Sequence, residues 1–216
     1  MKFFWWEVVF YCVVFVLVFF MIFNDYSPVL TVGVGMGASL VAFIIRVYYP
    51  LALEKRMDRV ESFLRRQQNS PGLYINYVLA NRLEDEAVII MEQLMRKYKQ
   101  ETAQAPYKAA YGVYRKDMNA VRKAVHNIRF ADYRAYYETI LLMEDGESGQ
   151  ARNRLESIKK QWMKSALLAE IELKAGRHEA AIEHAREAVN SSRGVYRYVL
   201  YKEYERSLPQ VVKPLA

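Results

Sequence analysis

Residues 166–189 read ALLAEIELKAGRHEAAIEHAREAV. Apolar residues recur at helical spacing on both sides of Gly176, the pattern of two amphipathic helices joined by a turn that needs a permissive backbone. In the second helix Ala181, Ala185 and Ala188 fall at 0, +4 and +7. Such small side chains on one face let two helices approach closely. From Pro71 to Leu208 the chain keeps this character, rich in helix formers and without the alternating apolar runs that mark strands. An all-α fold is therefore expected.

The pattern recurs upstream. Ala151 stands five residues after Gly146, as Ala181 does after Gly176, and Leu155 and Ile158 follow it at +4 and +7. Ala87 is followed in the same way by Met91 and Leu94, and Ala120 by Ala124, with Asn127 at +7. The alanines 87, 120, 151 and 181 are separated by 33, 31 and 30 residues. This spacing, with the glycine-to-alanine offset, resembles the tetratricopeptide (TPR) repeat, a helical hairpin of about 34 residues. The resemblance implies a TPR-like solenoid of helical hairpins over residues 71–208, first helices lining a concave groove, and a closing helix from Val195 to Leu208 as its cap. The sequence departs from the family in lacking a terminal proline in each unit, and in placing Glu138 and Glu172 where large apolar residues are expected.

Ahead of this domain, residues 1–49 read as a transmembrane hairpin with spans at about 3–23 and 29–49. The first, FFWWEVVFYCVVFVLVFFMIF, carries one charge, Glu7, near its edge beside Trp5 and Trp6, at a depth that favours aromatic rings. It is too long for a signal-peptide core, no small-residue cleavage site follows, and a second apolar run comes at once. The turn at Asn24–Ser27 has no Lys or Arg, whereas Arg46, Lys55, Arg56, Arg59, Arg65 and Arg66 follow the second run. The positive-inside rule then places both termini in the cytoplasm. Gly33 and Gly37 form a GxxxG pair, expected to pack against the first span, with homodimerisation or docking on another membrane protein as the alternative. Residues 50–70 read as a juxtamembrane helix with Leu53, Met57, Val60 and Leu64 on one stripe, lying on the membrane or packed on the domain that follows. Residues 209–216 form a tail.

Composition narrows the chemistry. Hydrophobic residues make up 53% of the 216, yet mean hydropathy is −0.13, so apolar residues are concentrated in the first 50. The net charge of +7 reads as both signs interspersed, and suits an anionic membrane surface as well as nucleic acid. The single cysteine, Cys12, excludes an intrachain disulfide and a Cys-based zinc site. The histidines, His126, His178 and His184, fit no metal or catalytic spacing. The glycines of TVGVGMG lie within an apolar run and follow no strand, so they make no nucleotide loop. No enzyme activity, metal or cofactor is expected.

The 17 tyrosines are the compositional oddity. Tyr107, Tyr111 and Tyr137, interleaved with Lys108, Arg115 and Arg134, would place aromatic rings and cations along a groove suited to an acidic peptide. The expected role is a membrane-anchored adaptor whose partners are an unidentified protein and the lipid bilayer. The architecture resembles bacterial two-span membrane proteins with a cytoplasmic TPR domain, which implies a bacterial inner membrane. Two alternatives are an accessory subunit of a membrane transporter or enzyme complex, assembled through the GxxxG helix, and a membrane-tethered nucleic-acid binder; a second copy of the chain, as a homo-oligomer, is a further candidate partner. The last is disfavoured by acids distributed throughout and by the lack of a nucleic-acid module.

Overall fold

A computed structural model describes residues 2–212, with side chains placed from residue 9 onward. Trp5, Trp6 and Glu7 of the expected interfacial cluster, and residues 213–216 of the tail, lie outside these described side chains and residues. Every regular element is helical, and among the described residues there is no strand. The chain divides into two units, Met1–Leu51 and Ala52–Ala216.

The first unit holds α1 (Lys2–Phe23) and α2 (Pro28–Phe43). Asp25 takes a left-handed conformation in the turn between them (φ 54°). Ser27 then caps α2, its hydroxyl accepting from the Leu30 N–H at 3.3 Å, and Pro28 fills the first helical position, where no N–H is needed. Helix continues past Phe43 as a π-helical stretch, Ile44–Leu53, with Pro50 inside it. Proline has no N–H to give the ladder, and a widened register is one way a helix accommodates that loss. The run Pro28–Leu53 is the one helix among the described residues long and apolar enough to cross a membrane, and Val9–Phe23 is a shorter apolar helix.

α1 and α2 pack on each other, with Thr31 and Ala42 the most shielded residues of α2. Arg46 donates to the Tyr11 hydroxyl at 2.8 Å and lies over the Tyr11 ring. Gly33 and Gly37 do not make this contact. Both are exposed, and a Cβ added at either would meet nothing within 4 Å. The expected packing of this glycine pair on the first helix is thus not made, and the shielded positions of α2 are Thr31 and Ala42 instead.

The second unit begins where Glu54 breaks the expected juxtamembrane helix in two. Its carboxylate accepts from the backbone N–H groups of Lys55 and Arg56, at 2.9 and 3.0 Å, ahead of α3 (Met57–Arg65). The Arg56 N–H above all holds this carboxyl below its usual range. Val60 and Leu64 of the predicted stripe are fully buried, and α3 packs on the domain. Four consecutive helix pairs follow: α4 (Pro71–Ala80) with α5 (Glu84–Lys97), α6 (Glu101–Arg115) with α7 (Met118–Val125), α8 (Ala131–Glu144) with α9 (Ser148–Arg154), and α10 (Gln161–Lys174) with α11 (His178–Ser191).

The four pairs close alike. The first helix ends on a left-handed residue, Arg82, Lys116, Gly146 or Gly176, with φ of 57°, 57°, 81° and 75°. The next N–H then reaches back to a carbonyl in the last turn: Leu83 to Val78 at 3.1 Å, Asp117 to Gly112 at 2.8 Å, Glu147 to Leu142 at 2.8 Å, and Arg177 to Glu172 at 2.9 Å. This is the Schellman closure, which satisfies carbonyls a helix end otherwise leaves open. Five residues after each left-handed residue a buried side chain seats the second helix: Ala87, Val121, Ala151 and Ala181, all 0% exposed. Ala185 and Ala188 continue that face on α11. In the second pair the register is therefore one residue later than expected. Val121, Val125 and Ile128 form the buried series, and Ala120 is only partly covered.

The last helix, α12 (Gly194–Ser207), does not cap one end of the row. It packs on α3 and α4 as well as α11. Asn81 donates to the Tyr198 hydroxyl at 2.8 Å, and Arg206 donates to the Ala80 carbonyl at 2.8 Å. At its start, the Gly194 N–H donates to the Glu54 carbonyl at 2.7 Å. Trp162 of α10 stacks on Tyr196 with ring centroids 4.8 Å apart, and the Tyr133 hydroxyl of α8 donates to that of Tyr196. α12 thus joins the first pair to the third and fourth.

The two acids that depart from the repeat pattern have partners. Glu172, 5% exposed, pairs with Arg152 of α9 and with Arg177 at the turn, while Glu138 pairs with Arg154 of α9. Hydrogen bonds from Arg177 and then Arg152 pull the Glu172 carboxyl from 4.5 to about 2. A carboxyl depressed in the folded state contributes stability that is complete above its unfolded value and disappears as pH falls through its folded one. Glu172→Gln is expected to lower stability at pH 7 by about 1.5–3 kcal/mol, the range for hydrogen bonds to charged groups. Denaturant unfolding at a series of pH values checks this: the wild-type advantage should hold above pH 4.5 and vanish between there and about 2.

Candidate functional site

Small side chains leave space between the second and third helices of the domain's row of pairs. Ala105 and Gly112 on α6 and Ala120 and Ala124 on α7 line, together with α5, a cleft of about 760 Å³. Val88 and Met91 of α5 complete an aliphatic wall. Val88 and its neighbour Ile89 are 44% and 55% exposed, among the few large apolar side chains of this unit open to solvent. Lys108, Tyr111 and Arg115 of α6 and Lys123 of α7 line the cleft, together with two acids, Glu101 and Asp117.

The charges there are unequally engaged. Asp117 caps α7, accepting from the Ala120 N–H at 3.0 Å, and Glu101 accepts from Asn127 at 3.3 Å. Among the described residues, Lys108, Arg115 and Lys123 are in no ion pair. The surroundings reinforce this. Residues 96–129 contain nine Lys and Arg against two acids, an excess of seven that equals the net charge of the whole chain, and elsewhere 22 basic and 22 acidic residues cancel. The signs are mixed with no long single-sign block, yet the whole excess falls in this stretch. The bias was present in the sequence, but its cations are spread over 34 positions, separated by apolar residues, and never form an unbroken run.

Of the six residues expected to bind a partner, the structure brings Lys108, Tyr111 and Arg115 together in this cleft. The other three are committed to packing. Arg134 makes two hydrogen bonds to the Ile128 carbonyl, at 2.9 and 2.6 Å, and so fixes the turn between α7 and α8. Tyr107 stacks on Tyr98 at 5.7 Å, and Tyr137 meets Tyr136 edge-on at 5.4 Å. Burial raises the Tyr107 phenol to about 12 and pushes that of Tyr137 up as well, so both remain neutral. The tyrosine-rich side of α8 and the start of α10 meet Tyr196 of α12, and Lys160 lies over the Tyr133 ring at 4.5 Å. Val88, Met91 and Lys123 belong to the cleft and were missed by the sequence reading, because nothing local distinguishes them from ordinary helix-face residues.

No group of three or more His, Cys, Asp or Glu placed to hold a metal occurs among the described residues. Compared with known proteins, the chain matches no family model, no curated protein and no solved structure.

Gly112 sets the spacing of the α6–α7 pair. A Cβ there would lie 2.8 Å from Val121 Cγ2 and 3.1 Å from the Asp117 carbonyl oxygen. Alanine gains about 1 kcal/mol of helix propensity over glycine. The contact with fixed backbone is expected to outweigh this, since overpacking costs about 1–3 kcal/mol. Thermal unfolding of Gly112→Ala should therefore show a lower Tm than wild type; a rise would mean that α7 is free to move away.

Proposed function

We propose that this protein is a membrane-anchored adaptor, with α1 and α2 both spanning the bilayer and a TPR-like helical domain on the cytoplasmic side that takes a protein partner. The observation that carries the reading is the pairing of two opposite surfaces in one chain. α1 and α2 turn bulky apolar side chains outward, with Phe23 79% and Val29 84% exposed, while the second unit presents an aliphatic cleft rimmed by unpaired cations. Exposed apolar surface on that scale needs lipid or a partner to cover it. The shared Schellman closures and the constant offset to a buried residue support the TPR-like reading, and the unit spacing of about 34 residues or a little less agrees with it.

The open face at Gly33 and Gly37 favours a second reading, an accessory subunit assembled through the membrane helices. A photo-crosslinking residue placed in cells at Lys123 or at Gly37 separates the two. Protein adducts from position 123 support the adaptor; adducts from 37 alone support the accessory subunit; none from either position ends both.

The two-span topology is tested with Cys12→Ser and a new cysteine at Ser27 or at Lys55. A membrane-impermeant maleimide should label position 27 on intact cells and position 55 only after permeabilisation. Equal labelling of 55 on intact cells would reverse the orientation or remove a span.

A further inference from the structure

Resting on the adaptor reading, we propose that the α5–α6–α7 cleft takes an acidic amphipathic helix of a partner protein. Its wall and floor are aliphatic, from Val88, Met91, Ala105 and Ala124, and supply a seat for an apolar helix face. Its lining carries Lys108, Arg115 and Lys123, which are in no ion pair among the described residues, beside Glu101, which accepts from Asn127, and Asp117, which caps α7. Lys108 and Arg115 are two turns apart on α6, about 10 Å along the axis. That spacing selects a partner with acids at i and i+7 beside an apolar stripe, as helix-in-groove recognition uses. The charge excess of residues 96–129 extends the complementary field beyond the cleft and speeds encounter with an acidic partner. A nucleic acid fits less well. Tyr111, the ring that lines the cleft, already has one face stacked on Tyr114 at 5.9 Å, whereas base binding calls for a series of free ring faces.

The experiment uses the full chain in phosphatidylcholine nanodiscs and fluorescence anisotropy. The probe is a labelled synthetic helix of about 18 residues, long enough to hold helical structure, with leucines on one stripe and glutamates flanking it. Binding should weaken with added salt. It should fall at least about tenfold with the triple variant Lys108→Glu, Arg115→Glu, Lys123→Glu, the scale expected when several interface charges are reversed. A peptide of the same composition with the stripe scrambled should bind no better than that variant. Circular dichroism melts establish that the triple variant is folded; where it is not, Lys123→Glu alone, at an exposed position, replaces it and should weaken binding severalfold. The inference is overturned by equal binding to wild type and folded variant, by equal binding of the scrambled peptide, or by a single-stranded oligonucleotide that binds more tightly and loses affinity with the same variant. Such results would leave adducts at position 123 standing, and so fail this inference without failing the adaptor reading.

Discussion

A helix that must reverse within three residues leaves carbonyls without partners, and this chain meets that demand identically four times. A left-handed residue and a back-reaching N–H close α4, α6, α8 and α10, and a buried residue five positions later brings the following helix against the first. The closure fixes the exit direction, and the size of the seated side chain fixes the separation. Where that side chain is alanine, as in α5, α9 and α11, the partner needs no accommodation. Where it is Val121, the facing residue of α6 is Gly112, and the missing Cβ makes the room. The positions of all other surfaces in the domain, the cleft included, follow from these four geometries.

The legibility of the sequence tracks the chemistry of those turns. Gly146 and Gly176 announce the left-handed position because glycine adopts it without steric cost. Arg82 and Lys116 occupy the same conformation with a Cβ, and nothing in their local sequence advertises it. The alanine at 120 consequently took the place of Val121 in the reading, one residue out of register. Glu138 and Glu172 looked like breaks in a pattern because an acid on a buried face is costly unless paired, and its partners, Arg154, Arg152 and Arg177, lie 5 to 20 residues away. In the first unit, glycine spacing pointed to a contact at Gly33 and Gly37, whereas the shielded positions of α2 are Thr31 and Ala42, which no motif describes.

Tyr133, Tyr136, Trp162 and Tyr196 gather where α12 crosses α8 and α10, and burial keeps the Tyr133 and Tyr136 phenols protonated there. Acids are largely taken up by arginines of neighbouring helices, as at Arg122 with Asp145 and Arg82 with Glu203. Lys108, Arg115 and Lys123 of α6 and α7 are in no ion pair among the described residues. Removing the charge of these three residues changes no buried ion pair of the frame.

The contacts of α12 also order events during synthesis. Asn81 and Tyr198 are 117 residues apart, and Ala80 and Arg206 are 126 apart. In an open row each pair could settle against its predecessor as it left the ribosome, and the unit would fold progressively from its start. Here α3 and α4 must wait for α12 before their own surfaces are covered. Between the synthesis of α4 and that of α12, then, the nascent chain carries an unfinished domain, and chaperones have their longest access to it in that interval.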